Sequence, residues 1–352
     1  MKPTERILII GGGLSGLTLA YLLSKKNVFA TVLEASNRSG GRIQTIKGEN
    51  ETPLELGATW FSDSHPNLLS LLNELQLKKF PQYSKGKCLF QTKSFEPAQE
   101  FHIPETETPS YRIAGGTESL IHALTEKLEP KQIKLNTKVI SIKETENKLI
   151  VQSNNGEEFI ADKVVLCIPP QLVGSQIMFT PELPTTISAV LPTVQTWMAG
   201  SIKFVLEYSR PFWRKNGYSG MLYSHVGIVS EMYDHTNFEE DKFGFTGFLN
   251  ASSSTYTKNL RKELVLKQLE ELLGKDASTP LSYHEKIWTD EFILNANPII
   301  NRPHQNNGHP VFQESYMGGK LLFSGTETNS EFSGYMEGAI LAAKIILRKI
   351  LK

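Results

Sequence analysis

The chain opens on an unbroken apolar run, Ile7-Leu8-Ile9-Ile10, closed by Gly11-Gly12-Gly13. Four apolar residues without alternation read as a strand buried on both faces. Leu14, Leu17, Leu22 and Leu23 then recur at helical spacing, and residues 28–34 return to strand character. Parallel strands need such a crossover, so this β–α–β start predicts a doubly wound α/β sheet. Leu68, Leu71, Leu72 and Leu75 after Pro66 predict a further amphipathic helix. Residues 78–111 lose periodicity, carry several prolines and read as an excursion out of the first domain.

Thr117 stands where it can cap a helix running to about Leu128. Three strand-like runs follow, 139–143, 149–153 and 159–168, with Asn154-Asn155-Gly156 as the hairpin turn between the last two. A meander inside a parallel α/β chain suggests a crossover that replaces a helix. Residues 201–206 and 244–249 read as strands of a mixed middle region, and residues 260–273 as an amphipathic helix stopped by Gly274. The last part resembles the first, with a strand at 321–323, a Gly/Ser/Thr-rich turn, and a helix from about Gly334. The segments 1–77, 112–170 and 310–352 thus form one discontinuous domain, with 78–111 and 171–309 as the second.

Length fits two domains: 352 residues against a typical domain of about 150. The 37 basic side chains balance 37 acidic ones, which argues against a nucleic-acid binder. Cys88 and Cys167 are too few for a disulfide framework or a four-ligand zinc site. The histidines, among them His65, His102, His225, His235, His284, His304 and His309, show no ligand spacing, so no metal is assigned. No stretch reaches the roughly 18–20 uncharged apolar residues of a membrane span, and no signal-peptide h-region is seen. A soluble, reduced, cytoplasmic protein is the expectation.

Chemistry enters with Gly11-x-Gly13-x-x-Gly16, which follows a strand and opens a helix through Leu14 and Ser15. Glycines there give a tight turn and let backbone approach a pyrophosphate seated on the helix N-terminus. Glu34, at the end of the second strand, can accept hydrogen bonds from a ribose diol. Just beyond it, Ala35-Ser36-Asn37-Arg38-Ser39-Gly40-Gly41-Arg42 adds a second glycine pair and two arginines, of which Arg42 can meet a phosphate.

With this run the sequence resembles the flavin-containing amine oxidase family, which includes the monoamine, polyamine and L-amino acid oxidases. Further matches are Glu55-Leu56-Gly57-Ala58-Thr59-Trp60, Arg112-Ile113-Ala114-Gly115-Gly116-Thr117, Val139, and Val164 to Pro170 with Pro169 at its end. Ser201-Ile202-Lys203 with Pro211-Phe212-Trp213, then Trp288, continue the series. Gly325-Thr326-Glu327-Thr328 and Ser333-Gly334-Tyr335-Met336-Glu337-Gly338-Ala339 close it. The resemblance implies a Rossmann-like FAD/NAD(P)-binding domain with an interleaved α+β substrate domain.

It also implies roles. Residues 55–60, with Gly57, Ala58 and Thr59 as the cofactor contacts, pass beside the isoalloxazine ring, and the backbone at Val139 contacts adenine. Glu327 lies near the pyrophosphate or ribityl chain, and the final helix aims its dipole at the flavin ring. Lys203 holds a water on flavin N5 and assists the reaction with dioxygen, where a lone strand lysine is ordinarily just solvated. Tyr335 is one wall of an aromatic cage for the amine, where the plain alternative is a core tyrosine. Trp60 and Trp288 complete the expected site lining.

Two departures stand out. Nine residues after Trp288, where monoamine oxidases carry the cysteine joined to the flavin, this chain has Asn297, so FAD is expected to be non-covalent. The second cage tyrosine is replaced by Pro298. The expected activity is FAD-dependent oxidation of a small amine by hydride transfer from the carbon beside nitrogen, with dioxygen reduced to peroxide. A desaturase or porphyrinogen-type C–C dehydrogenase is the rival, and a flavin-binding protein with little turnover a third reading.

Overall fold

The computed structural model describes residues 5–104, 108–288 and 302–352. Its centre is a five-stranded, all-parallel sheet in the order Leu321–Phe323, Lys163–Leu166, Ile7–Ile10, Ala30–Leu33, Ile133–Lys134. Helices Leu14–Ser24, Glu118–Glu126 and Met336–Ile350 pack together on one face of it. Their buried leucines, isoleucines and alanines join Ile7, Ile9, Val32 and Val165 in one core. The alternate residues Leu8, Ile10, Leu33, Val164 and Leu166 point to the other face. Burial on both faces is why these strands carry no polar alternation.

The second face is covered by a four-stranded sheet in the order Glu158–Ala161, Leu149–Ser153, Val139–Glu144, Met178–Thr180. Its first three strands are the meander expected from the sequence. The run 159–168 is not one strand, however. It breaks at Asp162, whose backbone N–H donates to the Arg6 carbonyl (2.8 Å) while its carboxylate accepts the Arg6 N–H (2.8 Å) and an ion pair from Lys148. One half stays in the meander; the other crosses into the parallel sheet beside Ile7–Ile10.

The remaining large sheet has seven strands, in the order Ser282–Ile287, Ile202–Tyr208, Phe243–Leu249, Val229–Asp234, Tyr218–Ser224, Lys87–Gln91, Gln99–Phe101. The last two come from the 78–111 excursion. Helix Lys258–Leu273 covers the back of this sheet and ends at Gly274, as the sequence suggests. It does not bury a purely apolar stripe, because Arg261 and Gln268 are buried with Val265, Leu269 and Leu273. Arg261 is held by Glu285 (2.5 Å), and Gln268 accepts the N–H groups of Ile228 and Val229.

One cap is assigned differently by the structure. The Thr117 hydroxyl makes no cap on helix Glu118–Glu126. The Glu55 carboxylate accepts the Thr117 N–H (2.5 Å), and the Thr45 hydroxyl accepts the Glu118 N–H (3.0 Å). The helix N-terminus is thereby stitched to the hairpin formed by Thr45–Lys47 and Pro53–Glu55.

Candidate active site

A cleft of about 580 Å³ runs along the carboxyl ends of the parallel strands, the usual ligand position in such sheets. Gly11, Gly13, Leu14 and Ser15 line it from the first turn, with Glu34, Ala35, Gly41 and Arg42 from beyond the second strand. Ala58, Val139 and Pro169 reach it from the middle of the chain, and Gly325, Glu327, Tyr335, Met336 and Ala339 from the last turn and helix. Helix Leu14–Ser24 starts at Gly13 with no side-chain cap, so its first N–H groups and its dipole are free to receive an anion in the cleft. Glu34 is held in place by the Gly12 N–H (2.6 Å) and by the N–H and hydroxyl of Ser36 (2.9 Å each). Its remaining lone pairs are available to ribose hydroxyls.

Five expected contacts lie elsewhere. Gly16 is packed under the turn: a Cβ there would sit 2.0 Å from the Gly11 carbonyl oxygen and 3.1 Å from Ile9. This glycine lets helix and strand approach, and Gly16→Ala is expected to destabilise the fold by about 3 kcal/mol and leave purified protein colourless. A G16A protein that keeps full flavin absorbance and its melting temperature would refute this. Arg38 turns its guanidinium onto its own loop, donating to the carbonyls of Ser39, Gly41 and Ile43 at 2.7–3.2 Å. Gly57 and Thr59 face Lys203, and the Trp288 indole N–H donates to the Leu56 carbonyl (2.8 Å). Arg42, expected to meet a phosphate, is paired with Glu327 through two hydrogen bonds (2.6 and 3.1 Å). Glu327 is buried and Arg42 is 28% exposed, so the pair presents its guanidinium to the cleft.

Lys203 is 2% exposed. Its ammonium donates to the Gly57 carbonyl (2.7 Å) and the Thr59 hydroxyl, and stands over the Trp60 ring at 5.0 Å and the Phe248 ring at 5.6 Å. It is therefore fastened behind the segment whose Ala58 lines the cleft. Burial lowers it to about 7; the Glu55 carboxylate opposes this, the Arg112 guanidinium reinforces it, and Glu231 opposes it weakly.

Glu55, Arg112 and His235 are packed into the same interior, each under 7% exposed. Arg112 donates to the carbonyls of Asp234 (3.2 Å) and Thr236 and meets His235 Nδ1 (3.1 Å). Burial, Arg112 and Lys203 together keep His235 neutral, far below its usual range. No local sequence pattern marks this cluster. Its one signal is charge inside apolar strands, as in Pro53-Leu54-Glu55-Leu56 and Ile202-Lys203-Phe204-Val205.

Tyr335 is not a core residue: it is 42% exposed and lines both the cleft and a second cavity of about 700 Å³. Trp60, Phe332, His65 and His304 share that cavity with four serines. The rings of Trp197, His304 and Tyr335 lie nearly parallel, with centroids 4.4–6.3 Å apart, and His65 packs 5.9 Å from Tyr335. Trp197 presses on Gly334, where a Cβ would come within 2.4 Å of the tryptophan and φ is +86°. Nothing in the sequence around His65, Trp197 or His304 marks them for this cavity. Asn297 and Pro298 fall outside the described residues.

The profile of the flavin containing amine oxidoreductases matches residues 14–105 and 86–346. This chain belongs to that family. The flavin amine oxidoreductase described here is similar to the probable flavin-containing monoamine oxidase A of Dictyostelium discoideum, with 26% identity, covering 97% of this chain and 96% of the relative. It matches amine oxidase [flavin-containing] B of Mus musculus equally, at 26% identity over 100% of this chain and 87% of the relative. Among solved structures, putrescine oxidase bound to putrescine superposes with a TM-score of 0.85 at 22% identity, covering 99% of both chains. Cyclohexylamine oxidase from Brevibacterium oxydans IH-35A gives 0.83 at 20% identity, covering 99% of this chain and 100% of that one. The amine oxidoreductase is thus a flavin-dependent enzyme on the amine oxidase fold. No helix among its described residues is long and apolar enough to cross a membrane, and no group of three or more potential metal ligands is found among them.

Proposed function

We propose that the protein oxidises a small primary monoamine with FAD held non-covalently, passing hydride from the carbon beside nitrogen and using dioxygen as the final acceptor. The observation that carries this reading is the attachment of buried Lys203 to Gly57 and Thr59, directly behind the wall of the cleft. The donor set fits a dinucleotide: an uncapped helix N-terminus and Arg42 for phosphates, and Glu34 for a ribose. Bound FAD would supply the hydride acceptor. Every other task falls to the chain.

Trp60 and Tyr335 flank the amine with aromatic faces, holding it by its π-attraction and displacing water. Fixing the reacting carbon in one pose replaces a collision by a unimolecular step. Lys203 places a positive charge where electrons pass to dioxygen. Cys167, which lines the cleft, is an unsuitable attachment point: burial pushes its thiol up to about 12, and it stays protonated beside Ser15 and Ser324.

The second cavity favours a monoamine. Its described lining holds neither carboxylate nor guanidinium, the features that would select a polyamine or an amino acid. Arginines that could meet a substrate carboxylate are engaged elsewhere or face solvent: Arg210 pairs with Asp276, Arg214 with Asp234, and Arg302 is exposed.

Anaerobic mixing of the yellow protein with monoamines, diamines, polyamines, amino acids and a porphyrinogen tests the proposal directly. Bleaching by a monoamine, followed by peroxide on admitting air, is the expected result. Bleaching by the porphyrinogen alone would transfer the assignment to C–C dehydrogenation.

A further inference from the structure

The chemistry proposed above calls on Lys203 but not on the charged groups packed behind it. Glu55 and Lys203 approach the same stretch of backbone from different elements. Glu55 stands two residues before Gly57, the residue whose carbonyl accepts the Lys203 ammonium. The Glu55 carboxylate is immobilised by the Thr117 N–H (2.5 Å) and the Thr45 hydroxyl (3.0 Å), and its own carbonyl accepts the Thr246 hydroxyl from the neighbouring strand of the lysine sheet (3.2 Å). Arg112 enters from the strand Tyr111–Ile113, with its guanidinium 4.7 Å over the Phe80 ring. Among the described residues its hydrogen-bond partners are carbonyl oxygens and the His235 imidazole rather than a carboxylate. Burial lowers the Arg112 guanidinium to about 10 while Asp234 and Glu55 oppose this, so it keeps its charge at neutral pH, and its field reaches its neighbours in a low-dielectric interior.

We propose that Glu55 and Arg112 are positioning residues acting through Lys203, groups of opposite charge that set how much of the lysine is protonated when dioxygen is reduced. Burial raises the Glu55 carboxyl, and the Lys203 charge with the Thr117 and Thr45 hydrogen bonds opposes this and favours its anion. This rests on the reading of Lys203 as the residue that assists dioxygen. The other titratable groups around the lysine are Glu231, whose carboxylate accepts the Tyr233 hydroxyl, and His235, held neutral by burial and by Arg112. Lys286 lies opposite Lys203 in the register and stands 4.7 Å over the Trp288 ring. Burial brings Lys203 to about 7, where its charged fraction responds most steeply to a neighbour. Removing the anion empties the ammonium form at neutral pH; removing the guanidinium fills it.

The test is a pH titration of the Lys203 Cε signal in ¹³C-lysine-labelled holoprotein, assigned by its loss in Lys203→Met. It is run beside stopped-flow reoxidation of the reduced enzyme. Glu55→Gln is expected to lower the titration midpoint by about one pH unit and Arg112→Gln to raise it by about one. Arg112→Lys, which keeps the charge, is expected to restore the wild-type midpoint. The inflection in the reoxidation rate should move with the NMR midpoint in each variant. Should Glu55→Gln fail to fold, the two arginine variants suffice. An unmoved midpoint in folded Arg112→Gln overturns the proposal, as does a midpoint that moves while the kinetic inflection stays. If Lys203→Met reoxidises like wild type, the role given to the lysine has failed, and the titration still reports separately on its neighbours.

Discussion

Lys203→Met is expected to slow reoxidation of the reduced enzyme by air about 100-fold while changing anaerobic reduction by the amine by less than about 3-fold. The asymmetry follows from position. The ammonium is tied to Gly57 and Thr59 behind the cleft wall and is not itself part of the lining of the cavity where the amine enters, which it meets only through the Trp60 ring. Its charge assists a step in which negative charge develops, and it has little to offer a step that removes hydride from a neutral amine. The sign of the pH effect is fixed by the same fact. Below about 7 Lys203 carries its proton and above it does not, so the wild-type oxygen reaction should fall as pH rises through that value. The methionine variant should be flat across the window. A pH profile that rises through neutrality, or a variant slowed equally in both half-reactions, would overturn this account.

Glu337→Ala is expected to lower stability by about 4 kcal/mol, seen as a fall of roughly 8 °C in melting temperature. Glu337 is fully buried in the first turn of helix Met336–Ile350. One of its oxygens accepts the backbone and side-chain N–H groups of Asn67 (3.0 and 2.7 Å), and the other the Leu68 N–H (2.8 Å). It thereby caps helix Pro66–Glu74, whose N-cap residue His65 supplies no side-chain bond. Alanine leaves buried donors at a helix N-terminus with neither partner nor compensating charge. Glu337→Gln keeps the shape and one acceptor, and should fall between. A melt shifted by less than about 1 °C in the alanine variant would show that the carboxylate is dispensable.

The nucleotide-binding half was legible because its signals are local. An apolar run, a glycine turn and a helical leucine pattern fall within twenty residues of one another, and the uncapped start at Gly13 can be read from the same stretch. The seven-stranded sheet was harder. Strands such as Tyr218–Ser224 and Val229–Asp234 mix buried with half-buried or exposed positions, and the first of them takes one neighbour, Lys87–Gln91, from a distant part of the chain. Motifs mislead where a side chain has a partner that the motif does not contain. Arg38 found its own loop, and Thr117 lost its cap to Glu55. The interior around Lys203 was invisible for a related reason. Glu55, Arg112 and His235 are separated by more than fifty residues each, and only the folded chain sums their fields.

The order of strands in the parallel sheet bears on how the protein acquires its cofactor. Strand Leu321–Phe323 pairs with Lys163–Leu166, and helix Met336–Ile350 packs on Leu14–Ser24, more than three hundred residues upstream. The cradle's last wall therefore arrives only after the whole intervening domain has been synthesised. An N-terminal fragment carries the glycine turn and Glu34 but lacks Glu327, Tyr335 and Met336, so it has only part of the cleft lining and an uncovered helix face. Contacts of such long sequence separation form slowly, because loop closure precedes any reward from packing. The flavin capture proposed above would thus fall at the end of folding, as the event that locks the first and last segments of the parallel sheet together.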